Sequence, residues 1–322
     1  MPFFKRIKQR IHQTRERLGL RFFTHSQQYR ARYHVYIRNE HSQQNPISLV
    51  IPTPPHSPTQ EITTASSLTP AGFHRDIDPQ FRNHYAVWRF NLKPHATLDI
   101  DQRFDVCVRP ARHILSTRFS LNDYASLQKK YEPYLTPNTY IRLSTKVIKL
   151  AKHLAGDKKN LFHILSAINR YITKHIPYGN PITGLYSSED ALTLHRVDCG
   201  GFDILFVALC VALHIPARVV SGFFAGYDNN GMHAWAEVLL PDETWFPVDP
   251  SMEQRSHLGT TTRSGRFGFV GSDRVAFSYG THIPLHINGA IHHAPILQHP
   301  FIVSPHGKTS VTLTTTFTTH SL

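Results

Sequence analysis

The first readable pattern begins near residue 33, where apolar and polar positions alternate with a period of two. YHVYIRN, ISLVIP, YAVWRFNL, ATLDID and RFDVCVR are short runs rich in β-branched and aromatic residues, punctuated by Pro, Asn, Asp and Gly. They predict a small antiparallel, sandwich-like β domain over residues 33–118. The stretch 52–70 is rich in Pro, Ser and Thr and predicts a long loop. From about residue 119 the period lengthens. Residues 121–132 and 137–154 suit helices, the second with Thr136 as N-cap and Pro137 at its first position. Residues 160–175 carry a clear stripe of Leu161, Ile164, Leu165, Ile168, Tyr171 and Ile172, ended by Pro177. Residues 199–213 are apolar all round, so that helix is expected to be buried. Strands are predicted at 217–224, 233–240 and 244–249. Beyond Pro250 the chain turns Gly-, Ser- and Thr-rich, with SVTLTTTFTTH as a late strand candidate. The fold class read from these elements is α+β, a β-rich domain followed by helices packed on an antiparallel sheet.

Charge adds an N-terminal feature. Residues 1–32 hold nine Lys or Arg and one acid, Glu16, with Phe4, Ile7, Ile11 and Leu18 at helical spacing. That pattern fits a basic amphipathic arm, lying on an anionic membrane surface or packed on the protein, and equally a solvated helix or tail. The organisation expected is an arm at 1–32, a β-rich domain at 33–118, a catalytic domain at 119–258 and a C-terminal β extension at 259–322. Over all 322 residues the formal net charge is +13, which favours polyanionic partners and says nothing of fold. No segment has the roughly 20 apolar residues of a membrane span. The first residues lack an uninterrupted apolar core of a secretory signal, which leads to the expectation of a cytoplasmic protein. The three cysteines, Cys107, Cys199 and Cys210, are far apart and unpaired by spacing, which fits a reducing compartment rather than a disulfide scaffold. Neither an HExxH metal motif nor a DxDxDG calcium loop occurs, and no cofactor is expected.

Chemistry concentrates in two segments. In VDCGGFDILFVALCVAL, Asp198 can cap the buried helix, which puts Cys199 at its N-terminus. Unpaired N–H groups and the positive end of the helix dipole favour a thiolate there, while the Asp198 carboxylate opposes it. Gly200 and Gly201 leave room for a substrate backbone to approach, and the Cys199 N–H can serve as an oxyanion donor. A cysteine before a buried helix is by itself more often structural. In GMHAWAEVLLPDETWFPVDP, His233 opens one strand and Asp249 closes the next. A turn centred near residue 241 places the two opposite each other, within reach of an imidazole–carboxylate hydrogen bond. A nucleophile at a helix end facing an oriented histidine is the arrangement a Cys–His–Asp triad needs. Trp235 and Glu237 share the face of His233. Trp235 suits a substrate-binding wall and core packing equally.

These segments resemble the transglutaminase-like superfamily, whose core is papain-like. The resemblance rests on Asp198-Cys199-Gly200-Gly201-Phe202, Leu205–Leu209, Ile215-Pro216-Ala217-Arg218-Val219-Val220-Ser221-Gly222, His233-Ala234-Trp235-Ala236-Glu237-Val238 and Trp245-Phe246-Pro247-Val248-Asp249-Pro250, in order over about residues 160–255. It implies that Cys199 attacks an amide carbonyl and forms a thioester, that His233 shuttles the thiol proton, and that Asp249 orients His233. His214 departs from the glycine common among relatives. The second oxyanion donor has three candidates, Tyr178, His195 and a backbone N–H. Residues 33–118 are similar, in general pattern only, to the β domain that precedes this core in many microbial relatives. The expected activity is hydrolysis of peptide or side-chain amides, as in transglutaminase-like cysteine proteases. Protein crosslinking, a silent binding module and a metal site built from His195, Cys199, His233 and Asp249 are the competing readings.

Overall fold

The computed structural model describes residues 22–64, 66–182, 184–307 and 310–322. The amphipathic pattern at residues 4–18 therefore lies outside the described residues. The arm segment ends inside regular structure, because strand Gln27–Asn39 begins within it.

Alternation along Gln27–Asn39 buries one face and exposes the other, as expected of a sheet with one solvated side. This long strand is central: it pairs antiparallel with Thr97–Val108 on one side and with Val311–Ser321 on the other. Two runs read separately in the sequence, ATLDID and RFDVCVR, form the single strand Thr97–Val108. The loop expected at 52–70 contributes short edge strands Gln60–Ile62 and Ser67–Thr69 to the same sheet. A second sheet, Phe301–Val303, Asn45–Thr53, His84–Leu92 and His74–Ile77, faces the first across a core that includes Val35, Ile37, Leu49, Trp88, Ile100 and Phe104. The two layers form the expected β-sandwich. The chain's last strand thus completes the sheet that its first strand begins.

The helical half departs from expectation near its start. Residues 121–132 form no α-helix; the chain makes short 3₁₀ turns at Leu121–Tyr124 and Glu132–Tyr134. A Ser120–Asp123 capping box closes the first, the buried Tyr124 hydroxyl donates to the Leu239 carbonyl at 2.6 Å, and Pro133 opens the second. The next helix begins at Thr145 rather than 137. Asn138 Oδ1 holds the Tyr140 and Ile141 N–H groups in a turn, and Ser144, not Thr136, is the N-cap. Helix Leu161–His175 has Asn160 as its N-cap and buries the stripe read from sequence apart from the partly buried Tyr171.

Helix Cys199–Val211 is buried along almost its whole length, as its all-round apolar character requires. It packs against a four-stranded antiparallel sheet ordered Trp245–Val248, Met232–Leu239, Ala217–Phe224 and Arg274–Tyr279. The fourth strand comes from the Gly- and Ser-rich segment beyond Pro250. At the far end of the helix His214 has φ 58°. That left-handed conformation is free for glycine and costs other residues about 1–2 kcal/mol, which explains the glycine of relatives. Phe223, Val275 and Phe277, on the sheet face away from the helix, enter the sandwich core. This four-stranded sheet is therefore covered by helices on one face and by the β-sandwich on the other. No helix among the described residues is long and apolar enough to cross a membrane.

Candidate active site

Asp198 caps the cysteine helix as expected, accepting from the Gly201 N–H at 3.2 Å and from the Ile182 N–H at 3.3 Å. Cys199 follows at the first helical position and is half-buried. The Ala234 N–H, one residue beyond His233, acts on the thiol in favour of its charged form, which places the sulfur near the histidine strand. His233 is 2% exposed, with Nε2 2.8 Å from Asp249 Oδ2. The Phe224 ring stacks on its imidazole at 4.4 Å. Burial opposes the Asp249 charge, but the charge and hydrogen bond of His233, with Arg274, hold the carboxyl down to about 2. An ionised carboxylate only accepts, so Nε2 carries the proton and Nδ1 is left as the basic nitrogen.

The route by which Asp249 meets His233 differs from the expected one. Strand Trp245–Val248 pairs in register Ala236↔Val248 and Leu239↔Trp245, which centres the hairpin on residue 242. This shift of the centre by one residue, and of the pairing by two, comes from the turn, where Glu243 adopts φ 64° and Thr244 N–H bonds the Asp242 side chain. Continued, this register would put Asp249 opposite Trp235. The strand instead stops at Val248, and Asp249 turns out of the sheet at φ −127°, ψ 83° to become the N-cap of helix Pro250–His257. Its carboxylate reaches His233 along the diagonal of the ladder, two residues away.

Residues 148–250 match the family model described as the transglutaminase-like superfamily. That segment is a transglutaminase-like core. It holds Cys199, His233 and Asp249, whereas the β-sandwich lies outside it. A candidate cysteine protease from Cytophaga hutchinsonii, at 19% identity, superposes over 92% of this chain and 91% of its own with a TM-score of 0.64. The likeness covers both halves and is one of fold. The periplasmic domain of TgpA from Pseudomonas aeruginosa is a remoter likeness, at 12% identity and TM-score 0.39 over 76% of this chain and 93% of that one. Among curated proteins, the uncharacterized YebA of Bacillus subtilis (strain 168) is 26% identical over 150 residues, 39% of this chain. The chain spans only 20% of the length of that relative.

Around Cys199, His233 and Asp249, three other residues marked from the sequence have different surroundings from those expected. Gly200 and Gly201 are buried, and a Cβ on them would come within 2.8 Å of Leu185 Cδ1 and 2.6 Å of Val197 Cβ respectively. Their missing side chains admit the loop before the helix, not a substrate. Trp235 is 5% exposed and packs with Val220, Val270, Ala276 and Tyr279, so it is a core residue rather than a cleft wall. Glu237, on the same face, binds Arg218 at 2.6 Å, whose guanidinium lies between Trp245 and Tyr279. His195 is exposed. Tyr178 lies beside the cysteine helix, packed near Phe202, and burial foremost pushes its pKa up to about 12, so it remains a donor.

The helix end does not leave a resting thiolate. Burial foremost, then Asp198 and Asp203, push the Cys199 thiol up. Burial also lowers the His233 imidazole, outweighing Asp249. The substrate-free state is thus a neutral thiol beside a neutral base, because burial, with Asp198 next to the sulfur, outweighs the helix dipole.

Two buried groups near the triad went unmarked in the sequence reading. Arg274 is 2% exposed and donates from Nη1 to Asp249 Oδ2 at 2.6 Å and from Nε to Asp273 Oδ1 at 3.2 Å. Asp273 in turn accepts from Tyr227 at 2.8 Å and from the Ser264 hydroxyl at 2.6 Å. Asp249 Oδ1 takes the Met252 N–H at 3.0 Å. Gly265 closes over the network, where a Cβ would lie 2.3 Å from Asp249 Oδ2. The second group is Asp203, one helical turn after Cys199 and fully buried, whose two carboxyl oxygens have no hydrogen-bond partner. Burial, reinforced by Asp249 and Asp198, raises it well above the ordinary carboxyl range against the pull of Arg274, so it is held as a neutral acid. A lone acid in the apolar run FDILFVALCVAL was the available signal. Arg274 offered only an Asp–Arg pair opening an apolar strand.

Proposed function

We propose that this chain is a cysteine-dependent amide hydrolase. The observation that carries the reading is the imidazole of His233, fixed through Nε2 by Asp249, on a strand whose next N–H, that of Ala234, acts on the Cys199 thiol at the helix N-terminus. Cys199 Sγ attacks the carbonyl carbon as its proton passes to His233 Nδ1, and the new imidazolium is stabilised by Asp249. The carbonyl oxygen becomes an oxyanion that accepts from the first-turn N–H of Cys199, a group that a helix leaves without an internal partner, and from the Tyr178 hydroxyl. Collapse breaks the C–N bond, and Nδ1 gives its proton to the leaving amine. Water then attacks the thioester, loses a proton to Nδ1, and releases a carboxylic acid as the proton returns to sulfur.

Water is favoured over an amine as the second acceptor. A crosslinking enzyme needs an apolar channel that holds an amine and excludes water. Trp235, which the sequence offered as such a wall, is in the core. The loop before His233 exposes Gly226, Asp228 and Asn229. The test is a panel of peptide and glutamine amides with and without millimolar dansylcadaverine, run beside Cys199→Ala. Free acid as the main product supports the hydrolase. Labelled conjugate outrunning acid would replace it with a transglutaminase, and no product with an unreactive Cys199 would favour a binding module.

A further inference from the structure

A groove of about 1200 Å³ lies between helix Leu161–His175 and helix Pro250–His257, the helix that Asp249 caps. Five cations line it: Lys158, Arg170, Lys174, Arg196 and Arg255. None of the five is ion-paired among the described residues. The acid that also lines it, Glu253, is already engaged, its Oε2 accepting from Asn169 Nδ2 at 3.0 Å and from the Phe267 N–H at 2.8 Å. Asn169 is 5% exposed, and its Oδ1 has no partner. Phe162, Ile176 and Phe267 supply apolar lining.

One end of this groove is lined by Tyr178, beside the cysteine helix. Arg255 lies over the Tyr178 ring at 4.8 Å, and Tyr178 lies 6.0 Å from the Phe202 ring of the cysteine helix, three residues after Cys199. We infer that the groove binds an acidic peptide segment and selects it for the thiol. Unpaired cations match side-chain carboxylates, and the apolar lining takes an intervening hydrophobic side chain. That lining separates peptide from nucleic acid, whose phosphate backbone offers no aliphatic side chain between its charges. As a statement of substrate class the inference rests on the hydrolase reading; as a binding site it does not.

The test uses the full chain carrying Cys199→Ala, so that nothing is turned over. Fluorescent decapeptides differing only in Glu against Gln, and a single-stranded oligonucleotide, are titrated by anisotropy at low and moderate salt. The Glu peptide should bind at least about tenfold more tightly than its Gln counterpart at low salt, and this margin should shrink as salt rises. Arg170→Glu with Lys174→Glu, both on exposed positions of one helix face, should abolish it. On a catalytically intact chain the same pair should cost turnover of acidic peptides and spare that of neutral ones. Equal binding of the two peptides, indifference to the double substitution, or preference for the oligonucleotide would overturn the inference. Selective binding of the Glu peptide without turnover of any amide would sustain the groove and sink the hydrolase.

Discussion

Asp203 makes the stability of this protein depend on pH in an unusual direction. Most carboxyls in folded proteins are held below their unfolded values and stabilise as pH rises; Asp203 is held above. Between the unfolded value, about 3.9, and its folded value, the native state keeps a proton that the unfolded chain has released. Stability must then fall as pH rises through that window, by about 1.4 kcal/mol per pH unit. Asp203→Asn keeps the shape and removes the proton. The variant should gain on the parent between pH 4.5 and 6.5, by up to about 1.4 kcal/mol for each pH unit over which the parent's Asp203 stays protonated. Urea unfolding at both values, followed by near-ultraviolet circular dichroism, measures the difference. Using the change between two pH values cancels any fixed cost of placing an amide among apolar neighbours. Parallel curves for parent and variant would show that Asp203 is ionised in the native state, hence paired with something the geometry does not provide.

Asp249→Asn should fold yet lose about 10²–10⁴ in kcat, because an amide no longer enforces the tautomer with Nδ1 free; steady-state assay of the amide panel reads it. Burial lowers His233, so the base stays neutral in mild acid, and the acid limb of kcat/KM should fall below pH 6.5, with a limb above that value contradicting the assignment. Arg274→Met leaves Asp249 and Asp273 buried without their shared cation, and a loss of about 3–5 kcal/mol in denaturant unfolding is expected. Removal of residues 1–21 should leave the fold and activity intact and remove salt-sensitive binding to anionic vesicles; the truncation must stop there, because Gln27–Asn39 pairs on both edges.

What the sequence made legible follows from the range over which each signal acts. Helix Leu161–His175 was clear because its stripe is local and has its own cap. The contact between His233 and Asp249 was legible through the spacing of the two strands, although the register argument for it was off by two residues of pairing. Hairpin register depends on the turn, and one left-handed residue, Glu243, moved the centre. The contact survived because Asp249 leaves the sheet and is aimed by a helix cap, which a strand-only reading does not contain. Residues 121–132 were misread because helical spacing cannot show that Tyr124 is fastened to Leu239, 115 positions away.

The same reasoning explains why the division into a β domain and a catalytic domain understates how the site is built. His233 is oriented from two sides. Asp249 holds its ring, and Gln298 Nε2 holds its backbone carbonyl at 3.0 Å while also donating to Gly222 on the neighbouring strand. Gln298 is tied by its own carbonyl to the Tyr33 hydroxyl at 3.0 Å, and Tyr33 belongs to the central strand of the sandwich. On the other side of the network, the Tyr29 hydroxyl, four residues earlier on that strand, donates to the Ser272 carbonyl at 3.0 Å beside Asp273 and Arg274. The strand that organises the sandwich therefore also fixes both supports of the imidazole. Residues 199–249 contain Cys199, His233 and Asp249. Part of the geometry that holds them is supplied by residues near both ends of the described chain, which is why no local pattern could have disclosed it.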